Sequence, residues 1–239
     1  MCGRYATTRS AADLSALFDA VDETAVDEMD LLEPRYNVAP TDPVPVVRTD
    51  RSGQRVLVRA RWGLLPHWAR DPKAGARMIN ARVETVATAP AYARPFVSRR
   101  ALVPADGWYE WRRLPGGGKQ AYFMTPADGS ILTLAGLWSR WGPDGKAGHR
   151  LLTFTVLTTA AIGELAAIHD RMPLLLPPQR WARWLSGDPA LDPPPPAFLA
   201  GLELRPVAAA VGNVRNDRPE LVTRVDIERV ADQPAPTLF

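Results

Sequence analysis

The single cysteine of this chain follows the initiator methionine, in the opening MCGRYA. Small second residues permit removal of that methionine, and Cys2 would then carry a thiol and an α-amine on adjacent carbons. Their reference pKa values, about 8.5 and about 7.7–8.0, leave part of the amine neutral near pH 7. A neutral amine converts an aldehyde into an imine, and the thiolate can then close a thiazolidine ring. Cys2 is therefore a candidate nucleophile; the alternative is a small buried residue, the commoner fate of a lone cysteine.

The second candidate is Glu110, in the segment GWYEW. In a strand, Glu110 and Trp108 share one face because side chains alternate. A carboxylate beside an indole ring loses water, which raises its pKa towards general acid/base use. The alternative is an exposed strand carboxylate paired with Arg112 or Arg113.

Four further side chains suit proton transfer or phosphate binding. His169, in IHDRMP, could exchange protons near neutral pH. In INARVET, Asn80 offers both a donor and an acceptor, and Arg82 offers a planar fork for phosphate. Asn37, in RYNVAP, has the same capacity as Asn80. Each is weak taken singly, since lone histidines are usually structural and asparagine is common in turns.

Positive charge is concentrated in one part of the chain, although the formal net charge is only +3. From Arg48 to Arg100 there are twelve bases against three acids, whereas Ser10–Pro34 holds eight acids and no base. A basic block interleaved with aromatic residues suits a phosphate backbone with exposed bases. The alternative is genome composition, because 26 of the 29 basic residues are arginine.

Composition excludes several classes of protein. The chain has 239 residues, of which 46% are apolar and 23% charged, as in soluble globular proteins. No run approaches the ~18 apolar residues of a membrane helix, and the start lacks a secretory signal. A single cysteine excludes an internal disulfide and a cysteine-rich zinc site. We expect a cytoplasmic monomer without membrane partner, metal or cofactor, associated with the nucleoid when bound to DNA.

The predicted elements are mostly strands. The segment PRYNVAPTDP (34–43) reads as a loop, and 231–239 as a flexible tail after a domain spanning 1–230. Many strands and few helices predict a single α+β domain with a mostly antiparallel, pseudo-barrel β-sheet and peripheral helices. Strands are predicted at 44–49, 55–62, 107–113, 120–125, 131–141, 150–159 and 172–176, and helices at 10–21, 160–170 and 177–187.

Nine ordered stretches together resemble the SOS-response-associated peptidase family, also called the abasic-site processing proteins. The resemblance covers nearly the whole chain and implies a single α+β domain with a pseudo-barrel sheet. The matching stretches are MCGRYA (1–6), RYNVAPT (35–41), RWGLLPHWA (61–69), INARVET (79–85), RALVPADGWYEW (100–111), LAGLW (134–138), TFTVLTTAA (153–161), IHDRMPLLL (168–176) and VGNVRND (211–217).

The resemblance implies an enzyme that captures abasic sites in single-stranded DNA as a thiazolidine DNA–protein crosslink, shielding the lesion during repair and replication. The chemistry is Schiff-base, lyase-like; the peptidase in the family name refers to self-processing that exposes the cysteine. By motif position, Cys2 is the nucleophile and Glu110 the acid/base for the amine proton and imine formation. His169 assists proton transfer at the sugar, and Asn80 positions the sugar or the catalytic groups.

The same resemblance implies the DNA contacts. Arg4 and Arg82 would bind flanking phosphates, and Asn37 would join them. Trp68 and Pro66, in LLPHW, could wedge against a base where a duplex ends. The implied partner is single-stranded DNA containing abasic sites, including single-strand/duplex junctions.

Two other functions remain open at this point. An amino-terminal-nucleophile hydrolase, such as a glutamine amidotransferase, also begins Met-Cys-Gly and would use Cys2 against an amide. That reading leaves IHDRMP, GWYEW and the basic block without a purpose. The second is a non-covalent reader of modified or damaged DNA, with Cys2 incidental.

Overall fold

The computed structural model describes residues 2–24, 32–142 and 151–227. The predicted tail, 231–239, lies outside the described residues, as does the predicted first residue of the strand at 150–159. Within the described part, no helix is long and apolar enough to span a bilayer.

The structure alternates short helices with many strands. The strands are β1 (Tyr5–Thr7), β2 (Val21–Asp22), β3 (Arg35–Val38), β4 (Pro43–Thr49), β5 (Arg55–Trp62), β6 (Asn80–Arg82), β7 (Arg100–Ala105), β8 (Gly107–Arg113), β9 (Lys119–Pro126), β10 (Leu132–Trp141), β11 (Leu151–Ala160), β12 (Arg171–Pro173) and β13 (Leu202–Val207). The α-helices are α1 (Ala11–Phe18), α2 (Ala93–Ser98), α3 (Trp181–Leu185) and α4 (Pro196–Ala200), and 3₁₀ helices cover Pro72–Arg77, Gly163–Ala167, Pro178–Arg180, Ala209–Gly212 and Pro219–Val222.

Five strands close into a barrel. The order β11–β10–β7–β4–β5 is antiparallel throughout, and a parallel pairing of β5 with β11 completes the ring. Alternate residues face opposite sides of the wall, as the strand period requires. Val46, Val58 and Val103 belong to the cluster inside the barrel, whereas Val47 and Leu102 belong to the cluster under α1, α2 and α3. Apolar side chains therefore cover the wall on both faces.

A second sheet carries the start of the chain. Its order is β13–β9–β8–β1–β3, and all its pairings are antiparallel. Cys2, Tyr5 and Trp108 pack in the same buried cluster as the inside of the barrel. The two sheets thus enclose the amino-terminal residues between them, and the predicted α+β fold with a pseudo-barrel sheet is confirmed.

Most predicted elements are confirmed, two of them with their bounds. Arg55–Trp62 and Gly107–Arg113 are strands as predicted, and Ser10 caps α1 by accepting a hydrogen bond from the Asp13 N–H at 3.1 Å. The helix ends at Phe18, three residues earlier than predicted, because Asp19 adopts a left-handed conformation with φ 49°.

Three predictions were wrong in part. Arg35–Val38 was predicted as loop but forms β3, because its backbone pairs with β1 despite polar side chains. The strand predicted at 172–176 ends at Pro173, with one bridge from Leu175 to Leu134. The predicted helix at 160–170 is a 3₁₀ helix over Gly163–Ala167, preceded by extended backbone.

Gly107 allows β8 and β9 to approach closely at the turn into the GWYEW segment. A Cβ at this position would lie 2.4 Å from the Met124 carbonyl oxygen and 2.5 Å from Cζ of Phe123. The carbonyl belongs to the paired strand, so it cannot move aside without breaking the ladder. Any larger residue must therefore distort the strand that carries Glu110.

We expect Gly107→Ala to lower the free energy of unfolding by about 1–3 kcal/mol, since overpacking forces backbone shifts. Urea denaturation measures the loss. The matched control is Gly212→Ala, where a Cβ meets nothing within 4 Å. Equal stabilities for the two variants would contradict the close approach.

Candidate active site

Strand pairing brings the start of the chain to the GWYEW segment. Tyr5 lies opposite Trp108 in the antiparallel ladder, and the Tyr109 N–H donates to the Arg4 carbonyl at 2.9 Å. Cys2, just before β1, is fully buried. The cysteine and the acidic strand are therefore positioned by the same backbone hydrogen bonds.

Asn80 holds the backbone of the cysteine. Its Nδ2 donates to the Cys2 carbonyl oxygen at 2.6 Å. β6 places Asn80 opposite Val156 in a parallel pairing with β11, and the Tyr92 hydroxyl donates to the Asn80 carbonyl at 3.2 Å. Asn80 Oδ1 is buried and accepts no hydrogen bond from the described residues. Asn80 is therefore in direct contact with the backbone of Cys2, and its Oδ1 remains an unused acceptor among the described residues.

Glu110 is a buried carboxyl next to this pair. Glu110 is 3% exposed. Burial raises the pKa of its carboxyl to about 7, and the negative charge of Asp170 also acts to raise it. The exposed alternative, a surface carboxylate paired with Arg112, is wrong. A carboxyl that titrates near neutrality can both accept and return a proton at working pH.

The Cys2 thiol is held in its neutral form. Burial raises its pKa far above the ordinary value, and the negative charge of Glu110 raises it further. Because the thiolate is the nucleophilic form of cysteine, the buried thiol is a poor first attacker. Any chemistry that starts with the thiolate, as in an amide-cleaving hydrolase, is disfavoured in this environment.

His169 lies at the edge of the cluster, with its side chain 28% exposed. The Arg171 N–H donates to Nδ1 at 3.0 Å, which requires a free lone pair there and places the ring proton on Nε2. Asp170 Oδ1 also lies 2.8 Å from Nδ1, a contact that favours the charged ring. Burial lowers the His169 pKa, and the negative charge of Asp170 opposes this shift. Because the Asp170 side chain is 85% exposed, solvent screens its effect.

An ion pair not anticipated from the sequence holds the histidine segment. The Arg171 Nη1 and Nη2 donate to the two carboxylate oxygens of Glu84 at 2.6 and 3.0 Å. This bidentate geometry fixes the planar guanidinium of the residue whose backbone N–H donates to His169. Glu84 lies in INARVET and Arg171 in IHDRMP. Their opposite charges are the only feature of the sequence that could have indicated this ion pair.

Aromatic rings support the cluster from the barrel side. Tyr5 meets Trp62 edge-on with ring centroids 5.1 Å apart, and Trp62 stacks with Phe154 at 6.4 Å. The Trp62 Nε1–H donates to the Ile79 carbonyl at 2.9 Å, one residue before Asn80. These rings also exclude water from the cysteine and the carboxyl.

Two of the predicted DNA contacts form a network within the protein. Arg4 Nη1 donates to Asn37 Oδ1 at 3.0 Å and to the Val211 carbonyl at 3.1 Å. Asn37 is 1% exposed, and its amide donates to the carbonyls of Val211, Asn213 and Asn216 at 2.8–3.2 Å. The Asn37 side chain thus anchors the VGNVRND segment; its contact with DNA stays a prediction.

The remaining predicted contacts differ in exposure. Arg82 is exposed, Trp68 is 52% exposed, and Pro66 is buried. The Trp68 ring meets His67 edge-on at 4.8 Å, which fixes its orientation. Trp68 is therefore the member of the LLPHW segment with an aromatic surface available for stacking.

Metal ligation finds no support in the part of the chain that the structure describes. Residues 2–24, 32–142 and 151–227 contain no group of three or more His, Cys, Asp or Glu side chains that could hold an ion.

Comparison with known proteins identifies a family and several relatives. The family model described as "SOS response associated peptidase (SRAP)" matches residues 1–214. Abasic site processing protein YoaM of Bacillus subtilis is 39% identical over 78% of this chain and 79% of its own length. Abasic site processing protein YedK of Escherichia coli is 34% identical over 94% of this chain and 100% of its own. Abasic site processing protein HMCES of Gallus gallus is 31% identical, covering 95% and 79% respectively.

Solved structures share the fold. A crystal structure of a protein from Bacteroides thetaiotaomicron aligns with a TM-score of 0.76 at 22% identity, over 94% of this chain and all of that one. At this identity the likeness concerns the architecture alone.

The raised pKa of Glu110 makes stability depend on pH. The folded protein binds this proton more tightly than the unfolded chain, whose carboxyl has the ordinary value of 4.5. The contribution is therefore fully present below about pH 4.5 and lost as pH rises towards 7. We expect the stability of Glu110→Gln relative to the native protein to increase by about 1–3 kcal/mol between about pH 5 and about pH 8.

Urea denaturation of both proteins at the two pH values measures this change. Glu164→Gln, which alters an exposed carboxylate, is the control and should follow the native profile. Parallel profiles for Glu110→Gln and the native protein would show that the carboxyl is not buried in solution.

Proposed function

Because the chain belongs to the SOS response associated peptidase (SRAP) family, we propose that it processes abasic sites in DNA by covalent capture at Cys2. The names of its relatives support abasic-site processing. The observation that carries the covalent step is the burial of Cys2 beside Glu110, whose pKa burial raises to about 7. The chain would act as an abasic-site crosslinking enzyme that shields the lesion in single-stranded DNA.

The first bond forms at the amine. Removal of Met1 leaves the α-amine on Cys2, and this amine attacks C1′ of the ring-opened sugar, which is an aldehyde. Glu110 accepts a proton from the nitrogen and returns it to the departing hydroxyl, so that water leaves and a C=N bond forms. One carboxyl serves both steps because its pKa lies near working pH.

The thiol acts second. Its raised pKa keeps the sulfur protonated while the amine reacts, which supports the amine as the first attacker. When the imine has formed, the sulfur adds to the imine carbon, the thiol proton passes to the nitrogen, and a five-membered thiazolidine closes. Atoms balance with loss of one water overall, and no oxidant or reductant is needed.

Asn80 and His169 support these steps. Asn80 fixes the Cys2 carbonyl at 2.6 Å and keeps an unused buried oxygen that can accept a hydrogen bond from the sugar or the amine. The His169 Nε2–H can donate a hydrogen bond to the sugar ring oxygen, which assists transfer of the C1′ hydroxyl proton to that oxygen as the ring opens and the reverse transfer when it closes. Arg4 and Arg82 would meet the flanking phosphates.

We expect a heat- and SDS-resistant adduct between the protein and a single-stranded oligonucleotide with one abasic site, and its loss in Cys2→Ala. Cys2→Ser keeps the amine, so it should form only an imine, trapped by borohydride but lost without it. Denaturing gels measure both, and intact mass reports whether Met1 has been removed. A durable adduct in Cys2→Ala would refute the proposed chemistry, and glutaminase turnover would favour the hydrolase reading instead.

The exposed ring of Trp68 should stack on a base where single strand meets duplex. Base–aromatic stacking contributes about 1–3 kcal/mol, so Trp68→Ala should weaken binding to a junction about 5- to 150-fold. Fluorescence anisotropy with an intact junction oligonucleotide measures the affinity. Leu17→Ala, on α1 and 46% exposed, is the control; unchanged junction affinity in Trp68→Ala would exclude the stacking role.

A further inference from the structure

A second basic feature lies away from the cysteine, at the end of the barrel where β4 and β10 finish and β7 and β11 begin. It is a cleft of about 850 Å³, here called the distal cleft. Its lining residues are Glu23, Arg48, Thr49, Asp50, Arg51, Ser98, Arg99, Trp138, Arg140, Trp141 and Gly142.

The distal cleft and the candidate active site lie beside different parts of β11. Arg140 pairs with Leu152 near the start of β11, whereas Asn80 pairs with Val156 and Arg171 with Ala160. A separation of four to eight residues corresponds to about 13–26 Å along a strand. The cleft therefore cannot share the side chains that surround Cys2.

The side chains that line the distal cleft carry more positive than negative charge. Four arginines face two carboxylates, Glu23 and Asp50. Asp50 is already engaged: its Oδ1 accepts hydrogen bonds from Ser52 and Gln54 in the turn after β4. Glu23 reaches the Arg48 Nη2 only at 3.6 Å, and its side chain is 49% exposed. A half-exposed carboxylate at this distance compensates only part of the arginine charge.

Arg48 is the unusual member of the set. Its side chain is 9% exposed, Nη1 donates to the Thr49 carbonyl at 3.2 Å, and the buried Nε has no hydrogen-bond partner within the described residues. Burial and the charge of Arg140 lower its pKa, so both effects disfavour the cation. An arginine stays protonated in proteins, so a bound anion would relieve both penalties.

Two indole rings complete the cleft. The guanidinium carbons of Arg48 and Arg99 lie 5.4 and 5.5 Å from the centre of the Trp138 ring. Trp141 Nε1–H donates to the Ala69 carbonyl at 2.7 Å, so its ring is fixed next to the residue that follows Trp68. Guanidinium groups interleaved with aromatic rings are the features that bind single-stranded nucleic acid.

We propose that the distal cleft is a second, non-covalent binding site for the phosphates of a nucleic-acid strand. The choice of nucleic acid rests on the proposed function, whereas the anion site itself rests on the arginines. The Trp141–Ala69 hydrogen bond makes the cleft adjacent to the exposed Trp68, so a strand that stacks on Trp68 can continue into it. Its volume of about 850 Å³ also exceeds what one free phosphate occupies.

The test compares binding of a labelled, intact single-stranded oligonucleotide over a series of salt concentrations. Arg99→Gln/Arg140→Gln should weaken binding about tenfold or more at low salt. It should also flatten the plot of log affinity against log salt by about 1.4, since each lost contact to a single strand removes about 0.7. The control Arg113→Gln/Lys119→Gln removes the same charge from an exposed pair across the β8–β9 turn and should leave the slope unchanged.

A conservative pair separates charge from packing. Arg99→Lys/Arg140→Lys keeps both charges and should restore the salt slope, which a merely structural role of the arginines would not predict. An unchanged slope in the glutamine variant, or an equal change in the control, would overturn the proposal. So would binding of inorganic phosphate to the native protein but not to the glutamine variant while the two bind the oligonucleotide equally, because the cleft would then select single phosphates.

The two proposals can fail separately. The same proteins are incubated with an abasic oligonucleotide and run on denaturing gels. Absence of an adduct in the native protein would refute the covalent chemistry, while the salt slopes with the intact oligonucleotide would still decide the distal cleft.

Discussion

Burial of the first residues of the chain, away from water, is the constraint on which the rest of the site depends. β1 pairs with β8 on one side and β3 on the other, so the residues before it enter a space enclosed by both sheets. There Cys2 is fully buried and Glu110 nearly so. The same desolvation raises the pKa of the Cys2 thiol and of the Glu110 carboxyl. It keeps the thiol neutral and makes the carboxyl titrate near pH 7. A single physical cause thus sets the reactivity of two groups.

Local pattern was enough to predict much of this structure. Strands such as Arg55–Trp62 alternate apolar residues with a period of two, and Glu110 follows Trp108 on the buried face of its strand. These features depend on neighbours within a few residues. The burial of Glu110 could be anticipated because indole rings flank it in the chain itself.

What sequence reasoning missed depends on distant partners. β3 is polar and proline-flanked, and only its pairing with β1 makes it a strand. The parallel contact of β5 with β11 that closes the barrel joins segments about ninety positions apart and leaves no local signal. The Glu84–Arg171 pair and the Asn37 network likewise span large separations. Asn37 in particular was predicted to contact DNA. An asparagine that donates to backbone carbonyls of its own chain cannot be distinguished, from the sequence alone, from one that donates to a ligand.

The Asn37 network also imposes an order in time. Asn37 lies on the strand beside β1, yet its amide is satisfied by carbonyls from Val211 to Asn216. Cys2, one of the first residues to leave the ribosome, is therefore among the last to be set in place, since the support of the strand beside β1 is synthesised near the other end of the chain. During that interval Cys2 is not yet enclosed, which is when an enzyme that trims the initiator residue can reach it. Synthesis of Cys2 and its burial are separated by nearly the whole length of the protein.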